Sequence, residues 1–445
     1  MLPNIEFLNH ASVLVSNEQV SLLSDPWYQG DAFHKGWNLI HEFSDDEIIN
    51  LLGRVTHIWI SHEHPDHFSI SFFLKFKKTI IDNNIKILFQ KTDDKRVESF
   101  LLTKEFNLTI LEPNKWIEIG NDFKILNFKD GFYDSGLAID TCNMNILNLN
   151  DCEIKTNKRC DDVYKLVGEC DVLISQFSYA AWKGGKDNIS WRKKAAEEKL
   201  NTLELQVKKF KPKYLIPFAS YVYFSNERNY YLNDSSNTPL DVINCFKSND
   251  EIEVTVMKPF QVLDFNNKSN NDIALDFWNQ KYLDLRPIHK FEIKQIDELN
   301  KAFFHYKERI FKTNSKLFIR IVRIFSPIPA FKPLNIYIDD IDLNICFDIF
   351  LEKLEVTNDP ADIEMSSESL YFIMQNTFGF DTLTVNGCFE EKKNKGFSKM
   401  AKSLAIENLN NIGIKFNFYI IFNIKLIFLF IGRLFSVSKK INSSK

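Results

Sequence analysis

The sequence predicts an α/β protein, with a layered first domain over residues 1–265 and a smaller α+β domain over residues 275–410. Three observations carry this. Apolar runs of strand length, rich in Val, Ile and Leu, recur between residues 5 and 218. A helical pattern intervenes before the last of them. A polar stretch, Asn266-Asn267-Lys268-Ser269-Asn270-Asn271-Asp272, then separates this region from a second set of apolar segments.

Residues 5–25 read as short strands, in which Ala11–Val15 and Val20–Ser24 flank the turn-like Ser16-Asn17-Glu18. The run over residues 55–61 is apolar throughout its centre and predicts a buried strand. Further strands are expected at Lys86–Phe89, Lys124–Phe128, Leu137–Thr141, Ile146–Leu149 and Val172–Ser175. From Arg192 to Phe210, Leu200, Leu203, Val207 and Phe210 recur at helical spacing among charges, and Pro212 ends the helix. Tyr214–Phe218 is then another short strand. In the second domain Leu334–Ile338, Ile345–Leu351 and Leu370–Phe378 are apolar segments among few catalytic groups.

The 445 residues suffice for two domains with a core in each. Basic and acidic residues nearly balance, 55 against 59, which leaves no nucleic-acid footprint. The N-terminus lacks the charged start and apolar core of a signal peptide. The seven cysteines include no Cys-x-x-Cys pair. Together these predict a cytoplasmic, reducing setting and argue against a disulfide framework. Residues 411–445 form a Phe-rich tail, with 13 apolar residues of 16 in Phe416–Ile431. A membrane span needs roughly 20 apolar residues, and Lys425 would be costly inside one. The tail therefore predicts either peripheral membrane contact or a terminal core element.

The chemistry concentrates in Ser61-His62-Glu63-His64-Pro65-Asp66-His67, directly after the run over 55–61. Imidazole and carboxylate are the donors that zinc and iron take. Pro65 forbids a regular helix here. His62 and His64, two residues apart on an extended loop, can point the same way. Asp66 and His67 can serve a second ion. Solvated loop histidines are the alternative reading.

His-x-His-x-Asp-His after a strand resembles the metallo-β-lactamase superfamily. Asn9-His10-Ala11-Ser12-Val13-Leu14-Val15 and Ser24-Asp25-Pro26-Trp27 resemble motifs of its phospholipase-D-like and lactonase-like branch. The stretch from Asp25 to Glu42, with Ile146–Cys152 and Pro217–Tyr221, is similar to the CMP-N-acetylneuraminate hydroxylase family. The resemblance implies a four-layer αβ/βα sandwich holding one or two divalent ions, zinc or iron, with manganese a further option. It implies that His62, His64, Asp66 and His67 are ligands and that Asp151 bridges two ions. Asp66 and Asp151 would be the catalytic carboxylates.

Two departures stand out. Where the superfamily usually supplies a further histidine, Asp130-Gly131-Phe132-Tyr133-Asp134 has Tyr133, and Pro217-Phe218 is followed by Ala219. After His67 the only histidines are His289 and His305, both expected in the second domain. The site is then expected to be completed by oxygen donors, to hold one metal, or to be degenerate; Tyr133, Asp134 and Asp140 are the candidate oxygen donors, and they shift preference toward iron or manganese.

Other residues are candidates for substrate binding. His10 and His41 lie in the quoted motifs. Trp27 and Trp37 could stack on a sugar or base. Lys183 and Arg192 flank the start of the long helix, where phosphate is favoured. Core packing or a solvated basic loop is the plainer reading of each.

Three functions follow. The first is metal-dependent hydrolysis of an activated sugar or a related phosphorylated or acylated metabolite. The second is di-iron hydroxylation of a nucleotide sugar. The hydroxylase family carries a Rieske iron–sulfur domain, and no cysteine here stands in a Cys-x-His or Cys-x-x-His pattern. That reading therefore calls for a separate electron donor and tilts the expectation toward hydrolysis. The third is a non-catalytic binding module.

Overall fold

Strand side chains of the first sheet divide between two cores. The structure, a computed structural model, describes residues 2–326 and 329–419. In β1 (Asn4–Asn9), β2 (Ser12–Ser16) and β3 (Ser21–Ser24), the residues Ile5, Phe7, Val13, Val15 and Leu22 enter a central core. Their neighbours Leu8, Leu14 and Leu23 enter a separate one. β4 (His57–Ile60) and β5 (Lys86–Gln90) repeat the split, with Trp59 and Leu88 inward and Ile58, Ile60, Ile87 and Phe89 outward. Because successive side chains alternate faces, a strand apolar on both needs a layer on each side. Helices Asp45–Leu52, Ile70–Lys75, Lys77–Asp82 and Arg96–Thr103 cover the outer face through Ile48, Phe72, Ile80 and Leu101.

β6 (Asn107–Leu111) closes the parallel edge of this sheet. The second sheet contains β7 (Trp116–Gly120), β8 (Phe123–Asp130), β9 (Asp134–Thr141), β10 (Met144–Asn150), β11 (Val172–Gln176) and β12 (Tyr214–Phe218). Two short strands, β13 (Glu253–Val254) and β14 (Gln261–Val262), are added at the edges. The sheet orders are β14-β1-β2-β3-β4-β5-β6 and β13-β12-β11-β10-β9-β8-β7. Each sheet is antiparallel in one half and parallel in the other. Helices Asn157–Val167 and Ile189–Phe210 pack on the second sheet through Cys160, Val163, Leu203 and Phe210. This is a four-layer αβ/βα sandwich, the architecture that the motif resemblance implies.

Strand direction gathers the chemistry. β1, β3 and β4 all run opposite to β2, so their C-terminal ends share one edge. In the second sheet β10, β11 and β12 are parallel, and the antiparallel β9 begins where β10 ends.

The first compact unit runs to His289, beyond the expected boundary at 265. The reason is Asp272–Leu283, a helix whose Ala274 and Trp278 are buried in the central core. Trp278 donates to the Met257 carbonyl at 2.9 Å and packs on Phe7 and Tyr221. His289 therefore belongs to the first unit, where it pairs with Asn38.

The second unit, from Lys290, is α+β. Its five strands lie in the order Glu355–Val356, Leu343–Phe347, Leu334–Ile338, Ile363–Met365, Phe389–Glu391. Helix Ile296–Thr313 buries Leu299, Phe303, Tyr306 and Ile310. The apolar segment at 370–378 begins as helix, within Ser367–Gln375. Among the described residues no helix is long and apolar enough to cross a membrane. Most of the Phe-rich tail, from residue 420, lies outside the described residues.

Candidate metal centre

The loop after β4 delivers its donors to the shared edge. His62 and His67 are fully buried, and Asp66 is nearly so. The Ser61 carbonyl is pinned by Gln90 Nε2 and Ser135 Oγ, each at 2.7 Å, which fixes where the loop leaves the strand. His62 Nε2 and His64 Nδ1 face each other at 2.8 Å. His62 Nε2 also lies 3.7 Å from both Asp134 Oδ1 and Asp151 Oδ2. His67 Nε2 is 3.2 Å from Asp66 Oδ2 and 3.5 Å from Asp151 Oδ2. Asp151 Oδ2 thus lies within 3.7 Å of both His62 Nε2 and His67 Nε2.

Among the described residues, three sets of side chains have ligand atoms within 4.8 Å of one another: His62, His64 and Asp134; His62, His67 and Asp151; and His10, Asp66 and His67. The arrangement fits a cation for two reasons. Asp66 Oδ1 and Asp151 Oδ1 are buried and receive no hydrogen bond, an arrangement that is unfavourable for a carboxylate unless a cation compensates it. Burial and the adjacent Asp151 also push Asp134 up to about 8. Asp134 would ionise at neutral pH only if positive charge arrived.

The remaining electrostatics follow the same charges. Burial disfavours the carboxylate of Asp66, but His67 and His10 outweigh it and hold Asp66 well below its usual range. Burial also opposes a charged His67, yet Asp66 and Asp151 hold that ring well above its usual value. His62 and His10 are lowered by burial.

Asp25, quoted in a motif but given no role by the sequence, holds the site together. Its backbone adopts φ 35°, uncommon for a side chain other than glycine. Its carboxylate accepts from Ser61 N at 2.8 Å, Ser61 Oγ at 2.6 Å and Asn150 Nδ2 at 2.5 Å. It also takes the Nδ1–H of His67 at 2.9 Å, so that Nε2, which faces the other donors, is the nitrogen that gives up its proton to bind an ion.

The other expected residues divide. Tyr133 has its ring centroid 6.5 Å from that of His64. Asp140 lies six residues along β9 from Asp134, roughly 20 Å away at strand rise, and takes no part. His10 is buried within hydrogen-bond reach of Asp66, inside the donor cluster rather than at its rim. His41 packs against Phe43 and Phe277 instead. Trp27 is no platform: it is 2% exposed, packs edge-on against His10 and donates to the Gln29 carbonyl. Trp37, equally buried at 2% exposure, packs on Phe33 and Phe224 and only borders a cavity of about 250 Å³ that Tyr179, Tyr223, Tyr230, Asn233 and Tyr282 line. Phe33 bridges Trp37 and His64, at 4.7 and 5.8 Å.

Arg192 is structural. Its guanidinium is paired with Asp234 at 2.8 and 2.7 Å and donates to the Gly185 and Lys186 carbonyls. A helix-start arginine looks free in sequence, but here it ties down the loop before it. Lys183 remains, and Lys199 joins it, unforeseen because it stands among other charges on the long helix. Burial lowers both ammonium groups, and both lie in the field of Glu153, with Asp151 also acting on Lys199. Lys199 Nζ donates to the neutral amide of Gln176.

Searching protein-family models gives no match. The chain is similar to the curated cytidine monophosphate-N-acetylneuraminic acid hydroxylases. Identity is 26% over 281 residues with the Cricetulus griseus protein, covering 58% of this chain and 48% of that one. It is 27% over 295 residues with the Danio rerio protein, covering 61% and 48%. The Homo sapiens protein, named an inactive form, is 25% identical over 58% of this chain and 54% of its own. The chain spans about half the length of the curated relatives it matches. Among solved structures, CmlA, a diiron β-hydroxylase from Streptomyces venezuelae, aligns with a TM-score of 0.44 at 12% identity, over 59% of this chain and 54% of that one. A possible metal-dependent hydrolase from Veillonella parvula aligns with a TM-score of 0.43 at 14% identity, over 59% and 99%.

Proposed function

We propose that the chain is a metal-dependent enzyme whose first unit hydrolyses an anionic small molecule, in the class of activated sugars or phosphorylated and acylated metabolites. The observation that supports it best is the set of buried, undonated carboxylate oxygens at the shared strand edge, on Asp66 and Asp151. They favour a built cation centre over a binding module that has lost its site. A pair of divalent ions there, zinc or iron, would supply Lewis acidity and a water of lowered pKa.

The chain's own groups do the rest. His62, His64, His67 and Asp134 would hold the ions, and Asp151 would bridge them. Asp66 and Asp151, each within 3.5 Å of His67 Nε2, would orient the attacking water. Asp25 keeps His67 Nε2 directed inward. Lys199 favours negative charge beside Asp151, and Lys183 shares with it the field of Glu153. The aromatic cavity at Trp37, at about 250 Å³, suits one sugar or base ring.

A second reading is hydroxylation of a nucleotide sugar, with electrons from a separate donor. The likeness to the curated hydroxylases favours it. Anaerobic purification with elemental analysis separates the two, using His64→Ala as the control. Zinc, with turnover of a generic ester or phosphodiester that His64→Ala abolishes, supports hydrolysis. Two irons per chain, with oxygen uptake only when reductant is added, supports hydroxylation. Absence of bound metal and of any thermal shift with Zn²⁺, Fe²⁺ or Mn²⁺ would refute both.

A further inference from the structure

We infer that His10 is itself a metal ligand, holding through Nε2, with Asp66 and His67, one ion of a two-ion centre. This deepens the metal-dependent reading above and rests on it. Counting histidines after His67 leaves the centre short of an imidazole. The fold supplies one from upstream, on the turn between β1 and β2.

The geometry is specific. His10 Nε2 and His67 Nε2 each lie 3.2 Å from the same oxygen, Asp66 Oδ2, and the two rings are 5.7 Å apart. All three ligand atoms fall within 4.8 Å of one another. One carboxylate oxygen with two imidazole nitrogens converging on it is the arrangement an ion between them would require. Asp66 Oδ1, the other oxygen, is buried with no donor.

Two backbone hydrogen bonds fix the position of His10, and one aromatic contact meets its ring. Its backbone N–H donates to Asn9 Oδ1 at 2.9 Å, and its carbonyl accepts from Ala219 N at 2.7 Å. Trp27 packs edge-on against the ring at 5.8 Å. The bond to Ala219 is informative. The ends of β1 and β12 meet there across the two sheets, and the β12 side offers only a methyl group. An imidazole from β1 can therefore reach the space beside Asp66 and His67.

The remaining donors fall into a second group, His62, His64 and Asp134, with Asp151 between the two. Each ion would then have three protein ligands and share the bridging carboxylate.

The test strips the protein of metal and reloads it with Co²⁺ under anaerobic conditions. Cobalt per chain is measured together with the visible absorption, and circular dichroism checks the fold. Wild type should bind two Co²⁺. His10→Ala should hold one tightly, the second site losing more than about 100-fold in affinity by chelator competition, beyond the range for losing an outer partner alone. His10→Gln keeps an N–H toward Asp66 and should also bind one; it carries the test if the alanine variant fails to fold. His10→Ala combined with His64→Ala should bind none. If His10→Gln still binds two Co²⁺ with an unchanged spectrum, His10 is a hydrogen-bond partner only and the inference falls. If wild type binds no Co²⁺, the metal-dependent reading itself falls.

Discussion

Replacing Asp25 with asparagine isolates one proton. The carboxylate accepts four hydrogen bonds, from Ser61 N, Ser61 Oγ, Asn150 Nδ2 and His67 Nδ1, and is fully buried. Asparagine has the same shape and keeps one acceptor oxygen. With that oxygen toward Ser61 N, its amide nitrogen meets Asn150 Nδ2, donor against donor. The same nitrogen meets His67 Nδ1, which must then accept, so the His67 proton moves to Nε2 and faces the cation site. Losing such an orienting partner lowers metal affinity by about 10- to 100-fold, or about 1.4–2.7 kcal/mol. The donor–donor contact costs the metal-free protein about 1–3 kcal/mol. Chelator competition with Zn²⁺ measures the first quantity, and urea unfolding of the metal-free protein the second. A folded Asp25→Asn protein whose Zn²⁺ affinity lies within threefold of wild type would refute the reasoning.

Other perturbations have equally definite outcomes. Asp134 is pushed up to about 8 by burial and Asp151, so metal must displace a proton from it below that pH. Affinity should rise with pH up to about 8, and Asp134→Asn should lessen that rise by about tenfold per pH unit in pH-dependent calorimetry, the remainder coming from His67, whose ring must also lose a proton. The metal-free protein has the complementary dependence. A raised acid contributes stability below its unfolded value of 3.8 and loses it as pH rises through about 8, so urea midpoints should fall across that window. Lys199→Met should leave metal-free stability unchanged or raised, since a buried ammonium is removed, while weakening phosphate binding about tenfold, read by calorimetry. Trp278→Ala should destabilise the first unit by about 3–5 kcal/mol in urea unfolding, because its indole is buried in the central core.

Much of the fold was legible. The strand expected at Lys86–Phe89 is Lys86–Gln90, and the helix expected from Arg192 to Phe210 is Ile189–Phe210. Strands buried on both faces announce themselves as apolar runs. Asn107–Leu111 and Trp116–Gly120 did not, because they are edge strands with exposed or half-exposed positions and a weak pattern. The unit boundary was misplaced because the polar stretch at 266–272 is a surface loop, and the helix after it returns to the same core through Trp278.

By itself the sequence determined that His62, His64, Asp66 and His67 would stand together, since donors so close in the chain on one loop cannot be far apart in space. It also marked Asp151 and Asp134 through motif resemblance and donor type. Only the tertiary structure decided how the cluster is completed. His10, Asp25 and Lys199 reach it from 56, 41 and 133 positions away from Asp66 in the chain. Which strand ends share an edge depends on strand direction and sheet pairing, which no local pattern encodes. The same packing diverted Arg192 to Asp234 and Trp27 to the core, because a charged or aromatic side chain takes the nearest partner that the fold provides.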